Sequence, residues 1–203
     1  DTETYNAAHD AIAALVSTGV VRAIVTTNFD RLLERALATR GIEARVYYSS
    51  EHFEGLATDA RAVGAVQLIK VHGSVESPES MVDTLRQRVR GRPEALERTL
   101  REAFGAHAVL VVGFSGADLA YDPDYLGLRA GARVSPAFTV LNRAGSPPKT
   151  AMQELVDAAG PDARFLEGDL PSDLVALAQE LAAGRVVETV DGVDEGLGAE
   201  MLQ

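Results

Sequence analysis

Polar side chains able to do chemistry follow four apolar segments of this sequence. Their positions are Thr26 to Asp30 (Thr-Thr-Asn-Phe-Asp), His72 to Ser74, Gly113 to Ser115, and Asn142. An amide can orient a water molecule or a carboxamide without supplying charge, and a histidine can accept a proton near neutral pH. The set therefore suits attack at a sugar carbon that carries a cationic leaving group.

The Thr-Thr-Asn-Phe-Asp segment separates an apolar run, residues 20–25, from a helix-like pattern that starts at once. Thr26 is the predicted last residue of a strand, and Asp30 can cap the helix that follows. Capping accounts for Asp30 but gives Asn28 no role. Asn28 is therefore the residue of this segment with the strongest claim to a chemical function.

The other three groups each have a structural alternative. His72 can act as a general base, with Gly73 allowing close approach of a substrate, but a lone histidine at a strand end also serves structural roles. Gly113 and Ser115 can bring N–H and hydroxyl donors to a phosphate, or can form a tight turn. Asn142 can bind a ribose or base, or can satisfy neighbouring backbone groups. The choice depends on whether the fold brings these segments together.

Alternating helical and apolar segments supply the elements that would hold these groups. Helical spacing predicts helices at residues 7–16, 30–40, 93–104, 150–159 and 173–183, with a weak helix at 53–63. Apolar runs predict strands at residues 20–26, 44–48, 65–71, 108–112, 137–141 and 163–166. Strands that are apolar on both faces and alternate with helices are typical of a parallel sheet. The sequence predicts a Rossmann-like α/β fold with helices on both faces, a small helical insertion, and ligands at the carboxyl ends of the strands.

Composition excludes several classes of protein. The chain has 203 residues, 46% of them hydrophobic, yet no apolar run approaches the ~20 residues that span a bilayer. It has no Cys, which excludes disulfides and thiolate metal sites and suits a cytoplasmic protein. Its four His are scattered, so we expect no metal. The sequence has no Ser-His-Asp order, no nucleophile elbow and no pair of carboxylates at a useful spacing. It therefore does not indicate an ordinary hydrolase.

Charge and local composition indicate how the chain is organised. The net charge is −11, and the basic run at residues 86–92 lies beside acidic residues, so we interpret it as a solvated helical face. Nucleic acid is therefore not expected as a direct partner. Residues 1–184 form the predicted domain, and residues 185–203 form an acidic, Gly-rich tail or linker. We expect the chain to be a piece of a longer polypeptide.

Taken together, these segments resemble the sirtuin superfamily. Thr26 to Asp30, with the helical residues 8–15 before it, is similar to the sirtuin segment that ends in T-Q-N-I-D. Residues 68–74 (Leu-Ile-Lys-Val-His-Gly-Ser) resemble the catalytic "HGS" strand, and residues 109–115 the "GTS" strand. Residues 140–143 resemble the later "IN" strand. His9 matches a family position on the helix before Thr26, and we expect it to have a structural role.

The departures from the sirtuin pattern indicate a branch of the superfamily. Sirtuin deacylases carry a four-cysteine zinc module after the catalytic His, and residues 75–106 contain no Cys. The form T-T-N-[FY]-D is similar to zinc-free, sirtuin-like domains of bacterial defence proteins, which resemble NAD⁺ hydrolases. The resemblance implies NAD⁺ as substrate or ligand, with Asn28 positioning a water or the ribose and His72 acting as general base.

The resemblance also implies the remaining contacts with the dinucleotide. Asp30 would recognise the nicotinamide carboxamide, with Thr26 beside it in the cofactor-binding segment. Gly113 and Ser115 would hold a phosphate or the adenine-side ribose, and Asn142 the adenosine end. Defence domains of this kind are often silent until assembled, which implies a fused or associated sensor domain and a homo-oligomer as potential partners.

One family feature has no counterpart in the sequence. The sirtuin fold opens with a strand and a G-A-G-x-S loop that cradles the pyrophosphate, and nothing before Asp10 matches it. Either that strand precedes the chain or this copy binds dinucleotide poorly. Two alternatives to NAD⁺ hydrolysis therefore stay open, namely NAD⁺-dependent protein deacylation and a non-catalytic module for nucleotide binding or assembly.

Overall fold

The computed structural model of the chain describes residues 4–56, 64–81 and 93–184. Within these ranges the strands are β1 Ala23–Thr26, β2 Ala44–Tyr47, β3 Val66–Lys70, β4 Val109–Val112, β5 Phe138–Arg143 and β6 Arg164–Gly168. The helices are α1 Ala7–Ser17, α2 Leu32–Thr39, α3 Ser50–Glu54, α4 Glu94–Ala106, α5 Leu128–Ala132, α6 Thr150–Ala159 and α7 Leu170–Ala182. Short 3₁₀ turns lie at Pro78–Ser80, Asp118–Ala120 and Tyr125–Gly127.

The strands form two parallel three-stranded sheets, in the orders β1-β3-β2 and β4-β5-β6. In the first sheet Thr26 pairs with Lys70, and in the second Val112 pairs with Leu141. Because every strand is parallel to its neighbour, the carboxyl ends within each sheet lie at one edge. The α/β prediction with a parallel sheet is confirmed, and the strands are divided between two sheets.

Helices cover both faces of the strands, as predicted. One core cluster joins α3, α4, α5 and α6 to the strand residues Ile69 and Val140, with Val25 and Val111 packed against it. The opposite face packs α1 and α7 on Leu141, with Val112 alongside. Successive strand residues thus face different helix layers, which explains why the strands are apolar throughout.

Each sheet has two edge strands that pair only with its central strand in the described part of the chain. They are β1 and β2 beside β3, and β4 and β6 beside β5. Val25 of β1 and Val111 of β4 pack against the same core cluster. Most residues of β1 and β4 are partly buried, whereas β3 is fully buried.

Several element boundaries differ from the sequence prediction, among them three at the starts of elements. The last helix begins at Leu170 rather than residue 173, because the Asp169 side chain accepts the Ser172 N–H and caps it earlier. The weak helix expected at residues 53–63 instead begins at Ser50, where Ser49 caps it; residues 57–63 lie outside the described ranges. The first strand begins at Ala23 rather than residue 20.

Some predictions concern other parts of the chain. The basic run at residues 86–92 and the tail at residues 185–203 lie outside the described residues. No helix of the described residues has both the length and the apolar character that crossing a membrane requires. Within the same residues, no group of three or more His, Cys, Asp or Glu side chains is arranged to hold a metal ion.

Candidate functional site

The loop after β1 leaves one amide side chain free. The Thr26 hydroxyl accepts the Asn28 N–H at 3.0 Å, and the Asp30 carboxylate accepts the Leu32 N–H at 3.0 Å. Asp30 therefore hydrogen-bonds the first residue of α2, although the N-cap position itself is Arg31, whose side chain makes no capping bond. Asn28 is exposed, and its side chain makes no hydrogen bond within the described part of the chain. Its amide is available to a ligand or a water molecule.

Main-chain hydrogen bonds join this loop to the one that carries His72. The Val71 N–H donates to the Thr26 carbonyl at 3.0 Å, and the Val75 N–H donates to the Phe29 carbonyl at 2.9 Å. These bonds continue the pairing of β1 with β3 beyond the ends of both strands. The structure thus brings together the two segments whose proximity the candidate chemistry requires.

A buried lysine also ties the two loops to each other. Lys70 is fully buried, and its ammonium donates to the Glu34 carboxylate at 2.7 Å and to the Ser74 hydroxyl at 3.1 Å. It also donates to the Asp30 carbonyl. A buried cation needs this degree of pairing, because desolvation of an ion is costly. Lys70 and Glu34 position the site, and sequence reasoning gave them no role.

His72 lies in a sharply constrained turn at the end of β3. Its side chain is buried, and its Nε2 is 2.7 Å from the Tyr125 hydroxyl oxygen. Gly73 has φ +87°, and a Cβ there would lie 2.4 Å from the Ser80 carbonyl oxygen. Only glycine combines that conformation with so close an approach. The constrained backbone of this turn limits the positions that the His72 ring can occupy.

A cleft of about 270 Å³ lies beside this turn. Its wall includes Val71 and Gly73 from the His72 loop, Phe53 from α3, and the hydroxyl-bearing residues Ser49 and Ser77. The cleft combines apolar surface with hydroxyl groups, and it reaches Gly73 next to His72 but is lined by none of the predicted site residues.

The loop after β4 is exposed and contains a glycine in the left-handed region. Gly113 has φ +63°, but its N–H donates to the Leu141 carbonyl at 3.0 Å. That N–H completes the pairing with β5, so it is not available to a ligand, and the phosphate or ribose contact at Gly113 stays a prediction. Ser115 is exposed, and its hydroxyl oxygen accepts the Ala117 N–H at 3.3 Å. The Ser115 hydroxyl proton is one polar donor that this loop offers.

Asn142 lies inside β5, where the prediction placed it just after the strand. β6 pairs with β5 through Asn142 and Arg143, and this pairing extends the strand by two residues. Asn142 stays half-buried near the same edge. His9 takes part in a helix cap: its ring accepts the Asn6 N–H at 3.4 Å and completes the cap of α1. Its structural role is confirmed.

The structure links some of the candidate residues to each other and leaves others without a direct link. The loops that carry Asn28, Asp30 and His72 are hydrogen-bonded to each other. The β4 loop joins them through its Phe114 ring, which stacks on the Tyr125 ring that contacts His72. Asn142 is next to β4 in the sheet and has no hydrogen bond to the other candidates within the described residues. Tyr125 was missed because its segment shows no chemical pattern.

The fold and this edge define a parallel α/β protein with a polar site at the carboxyl ends of its strands, the usual ligand position in open α/β sheets. Residues 22–122 match the family model described as SIR2-like domain. The match covers the Asn28, His72 and Ser115 segments and ends before Asn142. The match supports assignment of the chain to the sirtuin-like superfamily and suggests an NAD-binding function. No curated protein matches the chain.

Proposed function

We propose that this chain is a sirtuin-like NAD⁺-binding domain that hydrolyses NAD⁺ to nicotinamide and ADP-ribose. One observation carries the proposal: the loop with the free, exposed Asn28 amide is hydrogen-bonded to the loop with the buried His72. A water-orienting amide beside a group that can accept a proton is what hydrolysis at a sugar carbon needs. The SIR2-like match over residues 22–122 supports NAD⁺ as the ligand.

In the proposed reaction, the bond between C1′ of the ribose and the nicotinamide nitrogen breaks. Its electron pair goes to that nitrogen and neutralises the positive charge of the ring, so the leaving group needs no acid. The water oxygen bonds to C1′, and the proton that the water loses passes to His72. Asn28 orients the water or the ribose, and the buried surroundings of His72 exclude bulk solvent.

Other residues would hold the rest of the dinucleotide. The Asp30 carboxylate accepts one N–H from α2 and has further lone pairs for the nicotinamide carboxamide, next to Thr26. Ser115 would donate to a phosphate or ribose, with Gly113 shaping its loop. Asn142 would contact the adenosine end. The reaction requires no metal, and a chain without Cys cannot build a four-cysteine zinc module.

The open edges of β1 and β4 are relevant to whether the described strands form the whole dinucleotide site. A further parallel strand between them would join the two sheets into one, and a Gly-rich loop at its end would lie near the other strand ends. We infer that such a strand completes the dinucleotide site. The same open edges favour the second candidate function, a non-catalytic module that binds NAD⁺ or a related nucleotide, or that serves assembly.

The biological setting is also part of the proposal. The T-T-N-F-D form and the missing cysteines resemble zinc-free defence domains of bacteria, so we place the activity in antiphage defence within the cytoplasm. A fused or associated sensor domain, or assembly into a homo-oligomer, would control it. Such control is advantageous because unregulated NAD⁺ hydrolysis would harm the cell that carries the protein.

Product analysis tests the proposal. Purified protein is incubated with NAD⁺, with and without an acetyl-lysine peptide, and the products are separated by chromatography and identified by mass. Nicotinamide and free ADP-ribose without peptide would support hydrolysis. O-acetyl-ADP-ribose formed only with peptide would show a deacylase instead. NAD⁺ binding in a calorimetric titration without turnover would support the non-catalytic module.

A further inference from the structure

The Tyr125 side chain has no role in the proposed reaction, but its hydroxyl contacts His72, the proposed general base. The Tyr125 hydroxyl oxygen is 2.7 Å from His72 Nε2, and both side chains are 7% exposed. The two rings meet at 60° with their centroids 6.4 Å apart. The residues are 53 positions apart in sequence, so only the tertiary fold brings them together.

Tyr125 is itself held from two sides. Its ring stacks on Phe114 with an interplanar angle of 16° and a centroid distance of 6.4 Å. Its backbone N–H donates to the Asp122 carbonyl at 3.1 Å. Phe114 lies between Gly113 and Ser115, so this contact joins the loop after β4 to His72 through one buried phenol.

The turn that presents Tyr125 has an uncommon backbone conformation. Leu126 has φ +59° and is the one residue other than glycine with positive φ in the described part of the chain. Gly127 follows with φ +72°, and a Cβ there would lie 2.9 Å from the Arg101 Cβ. Leu126 is buried, and strained conformations of this kind persist where the surroundings enforce them. The fold therefore keeps Tyr125 on His72 at a conformational cost.

We propose that Tyr125 is a positioning residue for His72: its hydroxyl holds the imidazole in one orientation and one tautomer. This inference rests on the proposed function, in which His72 takes the proton of the attacking water. A general base acts only when its ring is aimed at that proton, and a misplaced group loses rate rather than substrate affinity. The Tyr125 contact supplies that aim from an element outside the His72 turn.

The test compares Tyr125→Phe with Tyr121→Phe. Tyr125→Phe removes one hydroxyl and keeps the ring that stacks on Phe114. Tyr121→Phe makes the same chemical change at a side chain that is 69% exposed, and it serves as the matched control. The first readout is the set of imidazole ¹⁵N resonances of His72, assigned with His72→Ala among the four histidines. The second is kcat and KM for nicotinamide release from NAD⁺.

We expect Tyr125→Phe to move the His72 ¹⁵N resonances toward mixed tautomers and to lower kcat about tenfold or more, with KM within about twofold. Tyr121→Phe should change neither readout. Unchanged His72 resonances in Tyr125→Phe, or a kcat within about twofold of the wild-type value, would overturn the proposal. If His72→Ala keeps nicotinamide release, or the wild type shows none, the proposed hydrolysis fails. The ¹⁵N resonances then decide alone whether Tyr125 fixes the ring.

Discussion

The Lys70 ammonium lies 2.7 Å from the Glu34 carboxylate, and the two side chains are 1% and 13% exposed. Lys70 belongs to the strand before His72, and Glu34 belongs to the helix after Asp30. The pair therefore connects the elements behind both loops of the candidate site. It serves stability and site geometry at once, because the same ammonium donates to the Asp30 carbonyl and the Ser74 hydroxyl.

Loss of this cation should destabilise the fold strongly. Lys70→Met leaves the Glu34 carboxylate buried without its counter-charge, and we expect the free energy of unfolding to fall by about 3 kcal/mol. Urea unfolding measures it. Arg31→Met is the control: its pair with Glu76 spans 2.9 Å but is 48% and 41% exposed, so the loss should stay below about 1 kcal/mol. Equal losses in the two variants would contradict the role given to burial.

A methyl group at Gly73 should disturb the His72 turn. Gly73→Ala combines an unfavourable φ of +87° with a Cβ that would lie 2.4 Å from the Ser80 carbonyl oxygen. Gly145→Ala has a similar φ of +74° but nothing within 4 Å of its Cβ, so it isolates the conformational cost of about 1 kcal/mol. We expect Gly73→Ala to lose clearly more stability than Gly145→Ala in thermal unfolding. Equal shifts of Tm would refute the close approach.

The pair between α1 and α2 should make stability depend on pH. Arg40 donates to both carboxylate oxygens of Asp10, and these hydrogen bonds lower the pKa of Asp10 and raise that of Arg40. A lowered carboxyl pKa stabilises the folded state above the ordinary pKa of Asp, and this contribution is lost as the pH falls through the folded-state pKa. Asp10→Asn should thus be less stable than wild type at pH 7.

The difference between the two proteins should shrink as the pH falls below about 4. Urea unfolding at a series of pH values measures it. A constant difference across that range would show that the ionised pair does not contribute.

The open sheet edges should be visible in amide hydrogen exchange. In β1 the Arg22 and Thr26 carbonyls accept bonds from β3, so the alternation of a strand turns the Val25 N–H toward the open edge. We expect Val25 to exchange at least ~10-fold faster than Leu68 in the buried centre of β3. Protection of Val25 equal to that of Leu68 would mean that this edge is covered.

The parts of the fold that follow from local pattern were predictable. Continuous apolar runs between helical segments indicated buried parallel strands, and the polar residues after β1 and β3 marked the edge where their loops meet. The end of β5 was not predictable in this way. Asn142 belongs to the strand because β6 pairs beside it, and that pairing depends on residues more than twenty positions away.

The parts of the site that depend on distant partners were also missed. A lysine in the apolar strand residues 66–70 gives no sign that its counter-ion is Glu34, 36 positions earlier. Tyr125 and His72 are in contact although they are 53 positions apart in sequence. The turn that presents Tyr125 contains Leu126 in the left-handed region, a conformation that leucine rarely adopts. Both contacts are products of tertiary packing, which overrides local preference.

The central claim is that Asn28 and His72 together hydrolyse NAD⁺. Its most direct test is the initial rate of nicotinamide release by purified wild type, Asn28→Ala, His72→Ala and the control His107→Ala. His107 is exposed and lies just before β4, at the opposite end of the strand from the site. We predict a fall of at least ~100-fold in kcat for Asn28→Ala and His72→Ala, with His107→Ala unchanged. Near-native turnover in either site variant would contradict the account.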